Sequence, residues 1–238
     1  MKKMMLMAVF TASFGLSSFA QTVDQIVQKN IIALGGQEKL RALKTIKMEA
    51  NVTVQGMEIP STTIQVNDVG RRTDFKVQDM IGTEVVTKTD GWKFMPFMGQ
   101  QKPEPSAAEE IRESALSNDL QGVVLDYAKK GYKIDLIGKD TVSGKVAHKL
   151  RITSKEGVSM DYFVDAESGN TVKVASRRTV NGQQFEIISY LSDYKRTSEG
   201  YSFPYTINQD VPGAGPMVIK VTKIEINPMV DQSIFKMP

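Results

Sequence analysis

Thr45-Ile46-Lys47-Met48-Glu49-Ala50-Asn51-Val52-Thr53-Val54 decides the fold class. Ile46, Met48, Ala50, Val52 and Val54 alternate with Thr45, Lys47, Glu49, Asn51 and Thr53. Successive side chains of a strand point to opposite faces, so this period of two predicts a strand with one dry and one wet face. Gln55-Gly56 turns the chain, and Met57 to Val66 returns. Pro60 has no N–H for a ladder and calls for an edge position or a bulge. Arg71 to Gln78 and Thr83 to Thr89 read as two more strands. Asp90-Gly91 turns into a further short one, Trp92 to Phe97.

Pro103 and Pro105 break the pattern. Ser106 then opens a helix, with Glu109 three residues on as in a capping box, and Ala108, Ile111 and Ala115 on one side. Leu120, Val124 and Tyr127 mark another short helical piece. Strands resume after Gly131 at Tyr132–Lys139, Val146–Ser154, Ser159–Val164, Thr171–Val180, Gln183–Tyr194, Tyr201–Gln209 and Met217–Ile226. Asn181-Gly182 is the strongest hairpin signal in the chain. Asp165-Ala166-Glu167-Ser168-Gly169 reads as a looser hairpin loop, with Asp161 and Asp165 solvated beside it.

Upstream of the deciding stretch, Thr22 and Gln25 form a capping box, and Val23, Ile26, Val27, Asn30, Ile31 and Leu34 follow helical spacing. Gly35-Gly36 ends that helix, and a second piece runs from Gln37 to Leu43. Helices this short need a partner surface. The expectation is an α+β fold with a curled, mostly antiparallel meander sheet, although a two-sheet sandwich would give similar alternation. An N-terminal helix and a short helical lid carrying Ile111 and Ala115 cover its concave face. A sheet of about ten or more strands curls rather than staying flat, which leaves an apolar cavity beneath the helices.

Residues 1–20 read as a cleaved signal peptide: Lys2 and Lys3, an apolar stretch from Met4 to Leu16, and Ser18-Phe19-Ala20 before the cut. No Cys follows the cut to take a lipid anchor. The expected mature chain, 21–238, is a single domain in the periplasm. The 238-residue precursor has 30 basic residues, 27 acidic residues and no cysteine. The export segment removes two lysines and no acid, so the mature chain is close to neutral. That balance argues against a nucleic-acid partner. Packing alone must hold the fold.

Enzyme chemistry finds little footing. There is no cysteine nucleophile and no GxSxG elbow, and the sole histidine, His148, has no second histidine with which to hold zinc. No metal or cofactor is expected. His148 shares a strand face with Val146, Leu150 and Ile152 and reads as an inward, hydrogen-bonded side chain. Two features stand out instead. Trp92-Lys93-Phe94-Met95-Pro96-Phe97-Met98 gathers the only tryptophan, two phenylalanines and two methionines. Trp92, Phe94 and Phe97 are candidates for the wall of an acyl-chain cavity, with Met48, Val52 and Leu150. Arg71 and Arg72 are neighbours on a strand and face opposite ways, so one points inward, where a ligand could meet its charge. Arg71, Arg72 and His148 are the candidate polar contacts.

The order of these features resembles the LolA-like family of periplasmic lipoprotein-sorting carriers. Asp90-Gly91-Trp92-Lys93-Phe94-Met95-Pro96-Phe97 is similar to that family's Asp-Gly turn, Trp strand and Asn-Pro-Phe bend, with Met95 where Asn is usual. The ending, Ile226 to Pro238, resembles the close of the Bacteroidetes branch. The resemblance implies an open half-barrel closed by helices over an apolar cavity. It implies an acylated lipoprotein or lipid as ligand, transient membrane-protein donors and acceptors, and a carrier acting as a monomer. Carriers of the best-known type place Lys-Arg-Pro at the second-to-third strand junction; the matching stretch here is Val66-Asn67-Asp68-Val69-Gly70. The alternative is an envelope protein that binds a partner or senses stress, with a filled core and no lipid.

Overall fold

A computed structural model describes residues 21–180, 183–211 and 215–238. The expected export segment (1–20), the expected Asn181-Gly182 turn and residues 212–214 lie outside the described residues. No helix among the described residues is long and apolar enough to cross a membrane.

Thirteen strands form one antiparallel sheet. β1 (Thr45–Val54), β2 (Met57–Val66), β3 (Gly70–Val77), β4 (Met80–Thr87), β5 (Gly91–Phe94) and β6 (Glu104–Pro105) run outward to one edge. β13 (Gly215–Ile226), β12 (Ser202–Val211), β11 (Gln183–Arg196), β10 (Thr171–Val180), β9 (Ser159–Asp165), β8 (Lys145–Thr153) and β7 (Lys133–Val142) run outward to the other. The two meanders meet where β1 pairs with β13, so the first and last strands sit mid-sheet and the free edges are β6 and β7. The chain passes from one edge to the other through residues 106–132, which hold α3 (Ala108–Ser114) and α4 (Tyr127–Lys130). α3 touches both β4 and β10, seven places apart in the sheet, which a flat sheet does not allow. The sheet is curled and unclosed, an α+β open half-barrel.

α1 (Val23–Leu34) starts at the Thr22–Gln25 capping box. It buries Ile26, Val27, Asn30 and Ile31 against the concave face. Lys29 Nζ donates to the Ala166 carbonyl, and Asn30 Nδ2 donates to the Gly169 carbonyl (2.7 Å), fixing α1 to the β9–β10 loop. Gly35 ends the helix at φ 128°, and a Cβ there would stand 2.8 Å from the Gly200 carbonyl oxygen. Only glycine meets both demands. α2 (Gln37–Ala42) follows.

Four local expectations change. Pro60 sits in an internal strand with no bulge: it pairs with Asn51, while β2–β3 pairing begins only at Ser61, so its missing N–H falls beyond the β3 ladder. Ser106 caps nothing. Its N–H goes to the Gly91 carbonyl (2.8 Å), and α3 begins with Ala107 as an uncapped N-cap. Asp161 and Asp165 are not solvated. Asp161 is bonded to Arg151 and Lys149, and Asp165 is 2% exposed, accepting from Ser168 and Glu167. Burial alone would raise the Asp165 pKa, but those bonds leave it lowered. Leu120 and Val124 lie in turns, and only Tyr127–Lys130 forms a helical turn.

Candidate functional site

The register sorts side chains into two faces. On β2, Gln65 and Ile59 share a parity, and Gln65 Nε2 donates to the Asn118 carbonyl of the lid (2.8 Å). Their face is therefore the inner, concave one. The opposite face carries Ile64, Val66, Arg72, Val85 and Trp92.

The β8–β9 side of the inner face is packed by helices and lid. Leu150, Ile152, Met160 and Val164 of β8 and β9 pack with α1 and with Leu116, Val123, Val124 and Leu125 of the lid segment. Across the other side runs a row of paired apolar residues: Leu191 opposite Ile207, Ile207 opposite Ile219, Ile219 opposite Val52, and Val52 opposite Ile59. The row crosses five strands. Val77 and Met80 extend it on β3 and β4, and Phe75 lies beside it. None of these residues joins the three packed clusters of the described residues; Val52 is nonetheless buried (6% exposed), while Ile59, Phe75, Val77, Leu191, Ile207 and Ile219 stay partly exposed. Phe97 and Met95 lie over Gly82 on this face, and a Cβ at Gly82 would collide with the Phe97 ring. Gly82 thus lets an aromatic ring settle onto the sheet beside the row.

The lid is tied to both arms of the half-barrel. Lys93 Nζ on β5 meets Glu110 (3.3 Å). Glu113 on α3 accepts from the Thr179 N–H and hydroxyl of β10, both at 2.8 Å. Arg178 makes a long contact with the Ser117 hydroxyl (3.4 Å). Behind α3 lies a cleft of about 710 Å³ between the β2–β3 and β4–β5 turns on one side and Tyr132, Lys155 and Glu156 on the other. Ile111 and Ala115 line this cleft. Lys130 pairs there with Asp119 (2.7 Å), and burial, then Asp119, pushes the Tyr132 phenol up to about 12.

The expected cavity residues separate. Met48, Val52, Leu150 and Phe97 are on the inner face, but Leu150 is fully enclosed beneath the helices. Trp92 and Phe94 are on the outer face, in a cluster with Val66, Val85 and Phe235. Trp92 Nε1 donates to the Phe235 carbonyl (3.0 Å). Of the arginines, Arg72 points outward, bonded to Asp74 and to the Ile234 carbonyl, while Arg71 points inward. His148 is buried on the inner face with no hydrogen-bond partner in the protein, rather than hydrogen-bonded, and it lies outside the cleft. The sequence reading missed Ile59, Phe75, Val77, Ile207 and Ile219. Each stands in an alternating strand, and that was the signal available.

No protein-family model and no curated protein matches the sequence, and the likeness to known proteins is one of structure. A LolA superfamily protein from Nitrosomonas europaea superposes with a TM-score of 0.58 at 12% identity, over 91% of this chain and 99% of that one. A domain assigned as an outer membrane lipoprotein-sorting protein, from Vibrio parahaemolyticus, gives 0.55 at 12% over 89% and 94%. A DUF1329 family protein from Desulfovibrio piger gives 0.57 at 14% over 90% and 97%. The chain has the LolA-like fold. At these identities the likeness establishes the fold and leaves the cargo to the site.

Proposed function

We propose that this protein is a periplasmic carrier that shelters acyl chains, of lipoproteins or lipids, on the inner face of its half-barrel. The observation that carries this reading is the apolar row Leu191–Ile207–Ile219–Val52–Ile59 inside a curled sheet, in which Val52 is buried and its four companions stay partly exposed. A partly exposed apolar surface of this extent is costly unless something occupies it. Each CH₂ buried there is worth about 0.8 kcal/mol, so one long acyl chain supplies several kcal/mol without any charged contact. The lid ties at Glu110, Glu113 and Asn118 span the opening and are few enough to break and re-form. The chemistry asked of the protein is exclusion of water from a hydrocarbon chain, which needs no reacting group.

The proposed lining differs from the sequence expectation. Val52, Ile59, Phe75, Val77, Ile219 and Phe97 form it, while Trp92, Phe94 and Leu150 hold the fold. Native mass spectrometry of protein purified from the cell envelope without detergent tests the reading. The expected result is a lipid or acylated adduct that is lost in Ile59→Asp and Phe75→Asp. Wild-type protein with no adduct and no uptake of a fluorescent fatty acid would refute it.

A further inference from the structure

The lid helix is turned inside out. Ala108, Ile111 and Ala115 stand at i, i+3 and i+7 along α3, the spacing of a face that packs. Yet Ala108 and Ala115 are exposed, and Ile111 is only partly buried. The buried residues are instead Glu113, on the opposite side and 8% exposed, and Ser114, 2% exposed. Glu113 is held there by the Thr179 N–H and hydroxyl, and Ser114 turns its hydroxyl to the Ile111 carbonyl (2.7 Å). An ordinary surface helix buries its apolar stripe and leaves its carboxylates in water. Departures from such a rule concentrate at functional sites.

The open stripe is one wall of the cleft behind α3. That cleft, about 710 Å³, has the size of a small-molecule site. Its walls belong to three separate parts of the fold. Val69 and Thr89 come from the turns of one arm, the stripe from the lid, and Tyr132 and Lys155 from the other arm. Lys155 lays its methylene stem on Gly131, where any side chain would collide with it. No residue of the acyl row lines the cleft.

The charges around the cleft satisfy one another. Lys88 pairs with Asp68 and Lys130 with Asp119, both at 2.7 Å, and Arg112 pairs with Glu109 beside the cleft (3.2 Å). Lys155 and Glu156 are sequence neighbours of opposite sign. Neither sign is in surplus. An ion entering the cleft would have to break a pair or lie unpaired on a partly dry surface, and an uncharged ligand would do neither. The cleft is concave and bounded by turns on both sides, a shape that takes a small molecule and excludes the flat face of another protein.

We propose that this cleft is a second binding site, for a compact, uncharged and mostly apolar molecule, and that its occupant clamps the lid to both arms. The stripe on α3 and the Tyr132 ring supply the contact. A ligand that touches all three parts favours the state in which they stand together. The site goes beyond the carrier reading and does not depend on it.

Methyl NMR of the whole protein, titrated with phenylnaphthylamine and with its sulfonated analogue anilinonaphthalenesulfonate, tests this. The uncharged probe is expected to shift the Ile111 and Ala115 methyls saturably. The sulfonate, unpaired in the cleft, is expected to bind there about ten-fold or more weakly. Ala115→Trp, at an exposed position, fills the cleft and is expected to abolish the Ile111 shift. Saturating uncharged probe is expected to slow hydrogen exchange across residues 106–130 several-fold in the wild type and to leave it unchanged in Ala115→Trp. No saturable shift at Ile111, equal binding of the sulfonate, or a shift that survives in Ala115→Trp would overturn the site. Unchanged exchange with the probe bound would overturn the clamp. The Ile59 and Ile219 methyls, followed in the same samples with a fatty acid, report on the acyl row alone. Their silence beside a responding Ile111 would count against the carrier reading and leave the cleft standing, and the reverse pattern would remove the cleft and spare the carrier.

Discussion

His148 is 4% exposed, and neither ring nitrogen has a partner in the protein. Burial, then the charges of Lys139 and Lys29, lower its pKa from the ordinary 6.5. The neutral imidazole is therefore the folded form. The unfolded chain takes up a proton near pH 6.5 and the folded chain does so only at lower pH, so stability is complete above that range and is lost as pH falls through it. Urea midpoints at pH 7.5 and 5.5 should show this loss, and His148→Leu should flatten the slope between them. An unchanged slope in the variant would assign the effect to other groups. On the outer face, Phe235 is 6% exposed against Trp92 and Val85. Phe235→Ala should cost about 3 kcal/mol by leaving a cavity. Trp92→Phe should cost about 1 kcal/mol through its lost bond to the Phe235 carbonyl. Chemical denaturation followed by circular dichroism measures both. Trp92 also marks how far the sequence could be read. Its burial was legible from the apolar run around it, but the face was not, because the covering residue lies 143 positions further along. Arg71 and Arg72 were legible as opposite-facing, and only the pairing partners tell which one looks inward.

At the scale of elements, the lid ties differ in strength. The Lys93–Glu110 pair is partly exposed on both sides, and such pairs contribute about 0–1 kcal/mol. Glu113 is 8% exposed and holds two charge-assisted bonds to Thr179. Glu113→Ala should therefore speed hydrogen exchange across residues 106–130 several-fold, whereas Lys93→Ala should change it little. Equal protection in both variants would show that the lid is held by packing of Leu116 and Val123 alone. Strand existence was legible because alternation repeats in nearly every segment after Thr45. Lid boundaries were less so. Ser106 carries a capping pattern, yet its backbone is engaged by Gly91, a partner that no local pattern reveals. Pro60 misled in the other direction, because strand overhang in an internal β2 removes the conflict that its ring would create.

At the scale of the molecule, the pairing of β1 with β13 brings the first and last strands to the centre of the sheet and leaves the lid to bridge the edges. This arrangement packs the helices against the β8–β9 side of the concave face and leaves most of the apolar row partly exposed. Curling was expected from strand number. The division of the concave face into a side packed by the lid and a side with partly exposed apolar residues was not, because it depends on where Leu116 to Leu125 pack, and those residues have no regular period. The most direct measurement is methyl NMR with a long-chain lipid carrying a nitroxide in its acyl tail. Broadening confined to Val52, Ile59, Val77, Ile207 and Ile219, with Val66, Val85 and Val142 of the outer face unaffected, is the predicted result. Broadening of the outer-face methyls instead, or no broadening at saturating lipid, would contradict an acyl chain held inside the half-barrel.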